Sequence, residues 1–143
     1  MRNCQRDTII SHSPDETLRA GSELGSTLRS GDVVALCGDL GTGKTHYVKG
    51  VAMALGTPGE ITSPTFTLVH ECLGGRLPLF HIDLYRIESE LEMLEIGFEE
   101  YVNGKGVTII EWADKFRRWI PIGSRWIQFC ATSESTREIR ELS

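Results

Sequence analysis

The chain has 143 residues, of which 40% are hydrophobic and 24% charged, and its formal net charge is −5. This balance fits one globular domain, predicted to span residues 1–143, and the negative charge argues against a broad nucleic-acid interface, which needs a basic surface. No apolar run approaches the roughly 18 residues of a membrane span, so we expect no membrane association.

The N-terminus and the cysteines indicate a cytoplasmic protein. Residues 1–7 lack the apolar core of a signal peptide. The cysteines are widely spaced, show no metal-ligand spacing and are expected to be reduced thiols; they are Cys4, Cys37, Cys72 and Cys130.

An edge strand and a helix are predicted first. Residues 5–11 alternate weakly in polarity, as in an exposed strand. Ser13 then stands as a helix N-cap, with Pro14 in the first turn and Glu16 at the capping-box position. Apolar residues and glycines recur at helical spacing up to the Ser-Gly pair at 30–31, where the helix is predicted to end.

Residues 38–45 match the complete phosphate-binding-loop sequence G-x-x-x-x-G-K-[ST]. Its glycines let backbone N–H groups surround an anion, while Lys44 can reach the β- and γ-phosphates and the Thr45 hydroxyl can bind Mg²⁺. A buried-type strand precedes the loop and a helix predicted up to Gly56 follows it, so a helix N-terminus faces the phosphates. We therefore predict a nucleoside-triphosphate site formed by Asp39, Leu40, Gly41, Thr42, Gly43, Lys44, Thr45 and the first-turn helix residue His46.

Hydroxyl-rich turn residues follow at 57–65. Hydroxyl groups on a loop stiffened by Pro64 can respond to a γ-phosphate, as in nucleotide switches, and a plain turn is the alternative. The pattern then predicts a hairpin about a Gly-Gly pair and an acidic helix that Gly97 divides in two, at 66–72, 77–83 and 88–101. Three further strands, the last expected to be exposed and weak, cover 107–111, 126–131 and 138–142.

Two of the predicted strands end in an acid, Asp83 and Glu111. In α/β folds the carboxyl ends of such strands open beside the phosphate loop, where a carboxylate can reach Mg²⁺ directly or through water. Both acids are therefore predicted to act in catalysis. Residue chemistry alone does not decide which of them binds the metal.

Four segments also occur here in the order found in one family, at 38–45, 62–69, 81–86 and 110–112. On these residues the chain resembles the bacterial TsaE (YjeE) family, the small ATPase of the machinery that makes threonylcarbamoyladenosine in tRNA. The resemblance extends from about Ser13 to Arg118. Its specific signals are S-P-T-F, D-L-Y-R and E-W, because the phosphate loop by itself is generic.

The resemblance implies an α/β fold of the P-loop NTPase type, with three layers and a mixed sheet that has a parallel core and antiparallel flanking strands. It implies Mg²⁺-dependent hydrolysis of ATP to ADP, weak in isolation, by an accessory subunit of a TsaD–TsaB heterodimer. That pair transfers the threonylcarbamoyl group to the adenosine beside the anticodon, and the ATPase resets it between turnovers. Contact with tRNA is then expected only indirectly, through the complex.

The resemblance also implies roles for individual residues of this sequence, by their positions in the matching segments. Lys44 and Thr45 correspond to the phosphate and Mg²⁺ ligands, Glu111 to the metal-side acid, and Asp83 to an acid important for activity. The switch-like loop and the residues flanking the acids correspond to Ser63, Pro64, Thr65, Phe66, Tyr85, Arg86 and Trp112. The family usually has Ala where Thr42 stands and commonly Thr where His46 stands, and neither departure removes a phosphate ligand.

Three other functions would use the same phosphate-binding loop. A small-molecule kinase would need an acceptor pocket and usually an Arg-rich lid, for which the chain leaves little room. A GTP switch is disfavoured because the N-K-x-D and D-x-x-G motifs are missing. A nucleotide-gated adaptor would bind ATP and hardly hydrolyse it.

Overall fold

A seven-stranded mixed sheet organises the protein in a computed structural model that describes residues 8–38, 43–58 and 68–142. The strands are β1 (Thr8–Ser11), β2 (Val33–Gly38), β3 (Val69–Cys72), β4 (Leu79–Asp83), β5 (Val107–Glu111), β6 (Arg125–Ala131) and β7 (Arg137–Leu142). The helices are α1 (Pro14–Gly25), α2 (Lys44–Ala54), α3 (Glu90–Glu95) and α4 (Phe98–Val102), followed by a 3₁₀ segment (Ala113–Trp119).

The strand order is β1-β7-β6-β2-β5-β4-β3. Strands β6, β2, β5 and β4 pair in parallel, whereas β1, β7 and β3 join the sheet through antiparallel pairs. The predicted α/β fold with a parallel core and antiparallel flanks is therefore confirmed.

Strands β2 and β5 are buried along nearly their whole length because both faces of the sheet are covered. Val34, Leu36 and Ile109 point into one apolar core, to which α1 and α2 contribute. Ala35 and Ile110 point into the other core, which includes residues of α3, α4 and the 3₁₀ segment. The described chain is thus layered helix, sheet, helix.

Glycines allow α1 and α2 to pack with their backbones in contact. A Cβ atom at Gly21 would lie 2.0 Å from the Tyr47 carbonyl oxygen, and one at Gly50 would lie 1.9 Å from the Leu18 carbonyl oxygen. Both distances are far below a normal contact. This packing fixes where α2 lies on the sheet, and therefore where its N-terminus points.

The predicted start of α1 is confirmed, and its predicted end is wrong. The Ser13 hydroxyl accepts a hydrogen bond from the Glu16 N–H group (3.1 Å), while the Glu16 carboxylate accepts one from the N–H group of His12, the residue before the cap. The helix ends at Gly25 and does not continue to 30. Hydroxyl groups of Ser26 and Thr27 donate to the carbonyls three residues before them, which closes the last turn locally.

Strand β7 also differs from its prediction as an exposed, weak strand. It lies between β1 and β6, so both of its edges are paired. Ile139 is buried in the core between two pairs of charged residues, and Glu141 forms a bidentate ion pair with Arg125 on β6. The exposed appearance of the segment reflects its four charged residues and not its place in the sheet, because the described edges of the sheet are β1 and β3.

The hairpin and the divided helix are confirmed. Strands β3 and β4 pair in antiparallel register across the Gly74–Gly75 turn. Gly97 has φ of 72°, a left-handed conformation that ends α3 and begins α4. In the described part of the chain, no helix is both long and apolar enough to cross a membrane.

We predict that Gly50→Ala destabilises the protein. Alanine favours a helix over glycine by about 1 kcal/mol, but a methyl group 1.9 Å from the Leu18 oxygen must push the helices apart, and overpacking costs about 1–3 kcal/mol or more. The net effect should lower the free energy of unfolding in urea. Met53→Ala on the exposed face of α2 is the control, expected to change it by less than about 0.5 kcal/mol. Equal stability of Gly50→Ala and wild type would contradict the close contact.

Candidate functional site

The candidate site lies at the carboxyl ends of the parallel strands. Strand β2 ends at Gly38 and α2 begins at Lys44, after Gly43 in a left-handed conformation (φ 87°). The first hydrogen bond of α2 runs from the Tyr47 N–H group to the Gly43 carbonyl (3.1 Å), so the N–H groups of residues 44–46 lie in the first turn of the helix, before that bond. Eight predicted site residues lie outside the described chain: Asp39, Leu40, Gly41, Thr42, Ser63, Pro64, Thr65 and Phe66.

Lys44 is only 5% exposed. Its Nζ donates a hydrogen bond to the Gly38 carbonyl oxygen (3.1 Å) and lies 4.4 Å from the centre of the Trp112 ring. A carbonyl dipole and an aromatic face both stabilise an ammonium group that has left water. The side chain therefore holds a positive charge at the point where β2 meets α2.

The structure brings the two predicted acids together. Asp83 ends β4, Glu111 ends β5, and the two residues are directly opposite in the parallel register. Paired residues on neighbouring strands point to the same face, here the face covered by α1 and α2. The two carboxylates and Lys44 therefore share one edge and one face of the sheet.

Glu111 is 5% exposed, and its Oε2 atom lies 2.5 Å from Nε2 of His81, which is completely buried. The sequence did not lead us to predict His81 as a site residue. The available signal was its position two residues before Asp83, which places both side chains on the same face of β4.

Asp83 is held differently. Its Oδ1 atom accepts a hydrogen bond from the Tyr85 N–H group (2.9 Å), which closes a turn directly after β4. Burial raises the pKa of Asp83 above its usual value, and the Glu111 carboxylate raises that pKa further. The Tyr85 hydrogen bond, His81 and Lys44 oppose the rise.

Trp112 connects the acids to Lys44. It follows Glu111 and has φ of 59°, a left-handed conformation that is costly for a bulky residue, as the chain leaves β5 for the 3₁₀ segment. Its ring packs against the Tyr85 ring, with centroids 5.0 Å apart. Lys115 donates to the carbonyls of Tyr85 (2.6 Å) and Ile87 (2.9 Å), which ties this aromatic pair to the turn after β4. Arg86 lies exposed in the same turn.

A cavity of about 330 Å³ adjoins the other side of the α2 N-terminus. It is lined by the start of α1, the start of α2 and the loop between β6 and β7, through His12, Ser13, Pro14, Thr17, Gly43, His46, Glu134, Ser135 and Arg137. Because β6 and β5 flank β2 on opposite sides, the cavity and the two acids lie on opposite sides of Gly43.

The donor set fits Mg²⁺. Carboxylate and hydroxyl oxygens are its preferred protein ligands, and Asp83, Glu111 and Thr45 offer both types at this edge of the sheet. Within the described ranges, no three His, Cys, Asp or Glu side chains form a metal-binding cluster.

The fold and the site define a class: a three-layer α/β protein with a mixed sheet, in which a strand leads through the G-x-x-x-x-G-K-T segment into a helix beside two strand-end acids. The sequence model described as "Threonylcarbamoyl adenosine biosynthesis protein TsaE" matches residues 11–139. The chain therefore belongs to the TsaE family, which is involved in tRNA threonylcarbamoyladenosine biosynthesis.

Individual proteins that resemble this chain support the same family assignment. The chain is 42% identical to a tRNA threonylcarbamoyladenosine biosynthesis protein TsaE from Treponema pallidum over 91% of this chain and 96% of that one. It is 39% identical to the TsaE protein of Bacillus subtilis, over 89% of this chain and 79% of the relative. Its structure is similar to a crystal structure of Bacillus subtilis YdiB, with a TM-score of 0.80 and 33% identity over 99% of this chain and 87% of that one.

We predict that Asp83→Asn stabilises the protein without ligand at neutral pH. The folded-state pKa of Asp83 is raised. The contribution of its carboxyl group to the stability of the fold is therefore fully present below the usual pKa of 3.8, and it is lost as the pH rises through the folded-state pKa. The variant should therefore unfold at higher urea than wild type at pH 7, and the difference should disappear towards pH 3.8. Glu23→Gln, which removes an exposed carboxylate, is the control. A variant less stable than wild type at pH 7 would contradict the prediction.

Proposed function

We propose that this protein is a Mg²⁺-dependent ATPase that acts as an accessory subunit of a TsaD–TsaB-type complex and resets it between turnovers. The observation that carries the proposal is the placement of Lys44 at the end of β2 beside the opposed acids Asp83 and Glu111, in a chain of the TsaE family. A cation and two carboxylates at the N-terminus of a helix are what a metal-bound triphosphate requires.

Lys44 is the proposed partner of the β- and γ-phosphates. Its Nζ is bound to a neutral carbonyl and to an aromatic face, and neither is an anion that phosphate would have to displace. The N–H groups of residues 44–46 add the positive end of the helix dipole. Together these groups supply fixed donors for phosphate oxygens.

Thr45, Glu111 and Asp83 are the proposed residues on the metal side. When bound, Mg²⁺ would neutralise charge on the phosphate oxygens during phosphoryl transfer. Glu111 is held by His81, whereas burial and the neighbouring Glu111 carboxylate raise the pKa of Asp83, so a negative charge is costly there. A cation beside Asp83 would remove that cost, which supports metal binding at this edge.

We also propose the side of the α2 N-terminus on which the nucleoside of ATP lies. If the γ-phosphate and the metal lie on the side of Glu111, an extended nucleotide crossing the α2 N-terminus places its nucleoside on the opposite side. That side carries the cavity lined by His12, His46 and Arg137. The unusual His46 of this chain would then lie beside the nucleoside.

The requirements of phosphoryl transfer also suggest a partner protein. Efficient phosphoryl transfer also needs groups that orient the nucleophile and stabilise the transferred phosphoryl group, and such groups are often supplied by a second protein. A TsaD–TsaB-type pair would supply them here, and tRNA would be contacted only through the complex. The cytoplasm, where we expect these partners, stays a prediction.

We predict that Lys44→Ala weakens binding of Mg·ATP by at least about a hundredfold, because charge-assisted hydrogen bonds to two phosphates are lost. Isothermal titration would measure it. Lys49→Ala, farther along α2, is the matched control and should bind like wild type. Retained micromolar affinity in a folded Lys44→Ala protein would overturn the assignment of the phosphate site.

We also predict that the organism's own TsaD–TsaB-type pair stimulates phosphate release from Mg·ATP strongly. Glu111→Gln should bind ATP nearly as well as wild type, because it acts on the metal, and should lose most of the stimulated hydrolysis. Glu23→Ala, an exposed change on α1, is the control that should leave both unchanged.

The outcomes separate the alternatives. Stimulation by the pair that is lost in Lys44→Ala would establish the accessory ATPase. ATP binding without stimulated hydrolysis would favour the nucleotide-gated adaptor. Phosphate that appears on a small hydroxylated acceptor, and not free in solution, would favour the kinase.

A further inference from the structure

We propose that His81 is a positioning residue that holds the Glu111 carboxylate in place for the metal side of the site, an inference that rests on the proposed function. His81 lies in the middle of β4 and is completely buried, although histidine is polar. It occupies core space where an aliphatic residue would pack without any need for a hydrogen bond. A polar ring buried at this position needs a hydrogen-bond partner.

The role follows from the contact with Glu111. In the parallel register His81 is opposite Ile109, and Glu111 lies two residues further along β5. The Glu111 side chain therefore extends diagonally across the face of the sheet to place Oε2 2.5 Å from Nε2 of His81. The Glu111 side chain is 7% exposed and that of His81 0%, so water competes little with this hydrogen bond.

The hydrogen-bond pattern identifies the tautomer. Nδ1 of His81 is buried and has no hydrogen-bond partner within the described residues. An N–H group there would be an unsatisfied buried donor, whereas a bare nitrogen leaves only a lone pair unmatched. A proton on Nε2 is therefore favoured over one on Nδ1, and Nε2–H donates to the Glu111 carboxylate.

This donor fixes one carboxylate oxygen and the direction of the other. Without it, Glu111 would keep a buried negative charge with one partner fewer and would adopt other side-chain orientations. Hydrogen-bond partners of metal-binding side chains orient them in this way, and their loss typically costs about 10–100-fold in metal affinity or activity. His81 would then act on hydrolysis through Glu111 without touching ATP.

Two substitutions separate positioning from packing. His81→Gln keeps an N–H donor near the place of Nε2, whereas His81→Leu keeps similar bulk and removes the donor. We expect His81→Leu to lower the hydrolysis of Mg·ATP with the partner pair about 10–100-fold. Its affinity for ATP measured in EDTA should stay unchanged, and His81→Gln should stay within a few-fold of wild type. His70→Leu on the neighbouring strand β3 is the matched control.

Two further readouts complete the test. In the background of Glu111→Gln, His81→Leu should cause no additional loss, because both act through one carboxylate. The imidazole ¹H–¹⁵N spectrum of the wild-type protein without nucleotide should show His81 protonated on Nε2, with a resonance that shifts in Glu111→Gln. This spectrum does not depend on ATP, so it tests the pair even if the proposed function fails.

The inference would be overturned by any of three results. One is a folded His81→Leu protein with wild-type stimulated hydrolysis. Another is a folded His81→Gln protein as impaired as His81→Leu, which would indicate that only the ring shape matters. The third is a His81 proton on Nδ1. If wild type neither binds nor hydrolyses ATP while the spectrum shows the expected pair, the proposed function fails and the His81–Glu111 contact is structural.

Discussion

The parallel pairing of β2, β5 and β4 is the constraint on which the site depends. Parallel strands end at the same edge of a sheet, so Gly38, Glu111 and Asp83 come together although they are distant in the chain. The register matters as much as the order. A slip of one residue between β4 and β5 would turn every side chain of one strand to the opposite face and separate the two acids.

The helices turn this edge into a site. Backbone contact between α1 and α2 at Gly21 and Gly50 leaves α2 little freedom to slide, so the packing of the two helices sets the direction of the α2 N-terminus. Lys44, in the first turn of that helix, is then held between the end of β2 and the Trp112 ring. The apolar core thus positions a buried cation, which is expensive to place without such partners.

The polar groups at this edge have unequal surroundings, and that difference bears on function. Glu111 has a buried hydrogen-bond donor in His81, whereas Asp83 relies on a backbone N–H group and carries a raised pKa. The Glu111 carboxylate therefore has a hydrogen-bond partner within the protein, whereas the Asp83 carboxylate would be stabilised by a cation that a ligand brings. Membership of the TsaE family connects this chemistry to tRNA threonylcarbamoyladenosine biosynthesis.

The sequence by itself determined the features that depend on neighbouring residues. Cap and turn residues marked the start of α1, the β3–β4 hairpin and the break at Gly97, and apolar runs marked the buried strands that end in Asp83 and Glu111. The tertiary structure decided the features that join distant segments. It placed β7 inside the sheet, and it brought His81 to Glu111 and Lys44 to Trp112. Such contacts arise from strand order and register, which depend on how whole layers pack, and no local pattern of residues specifies them.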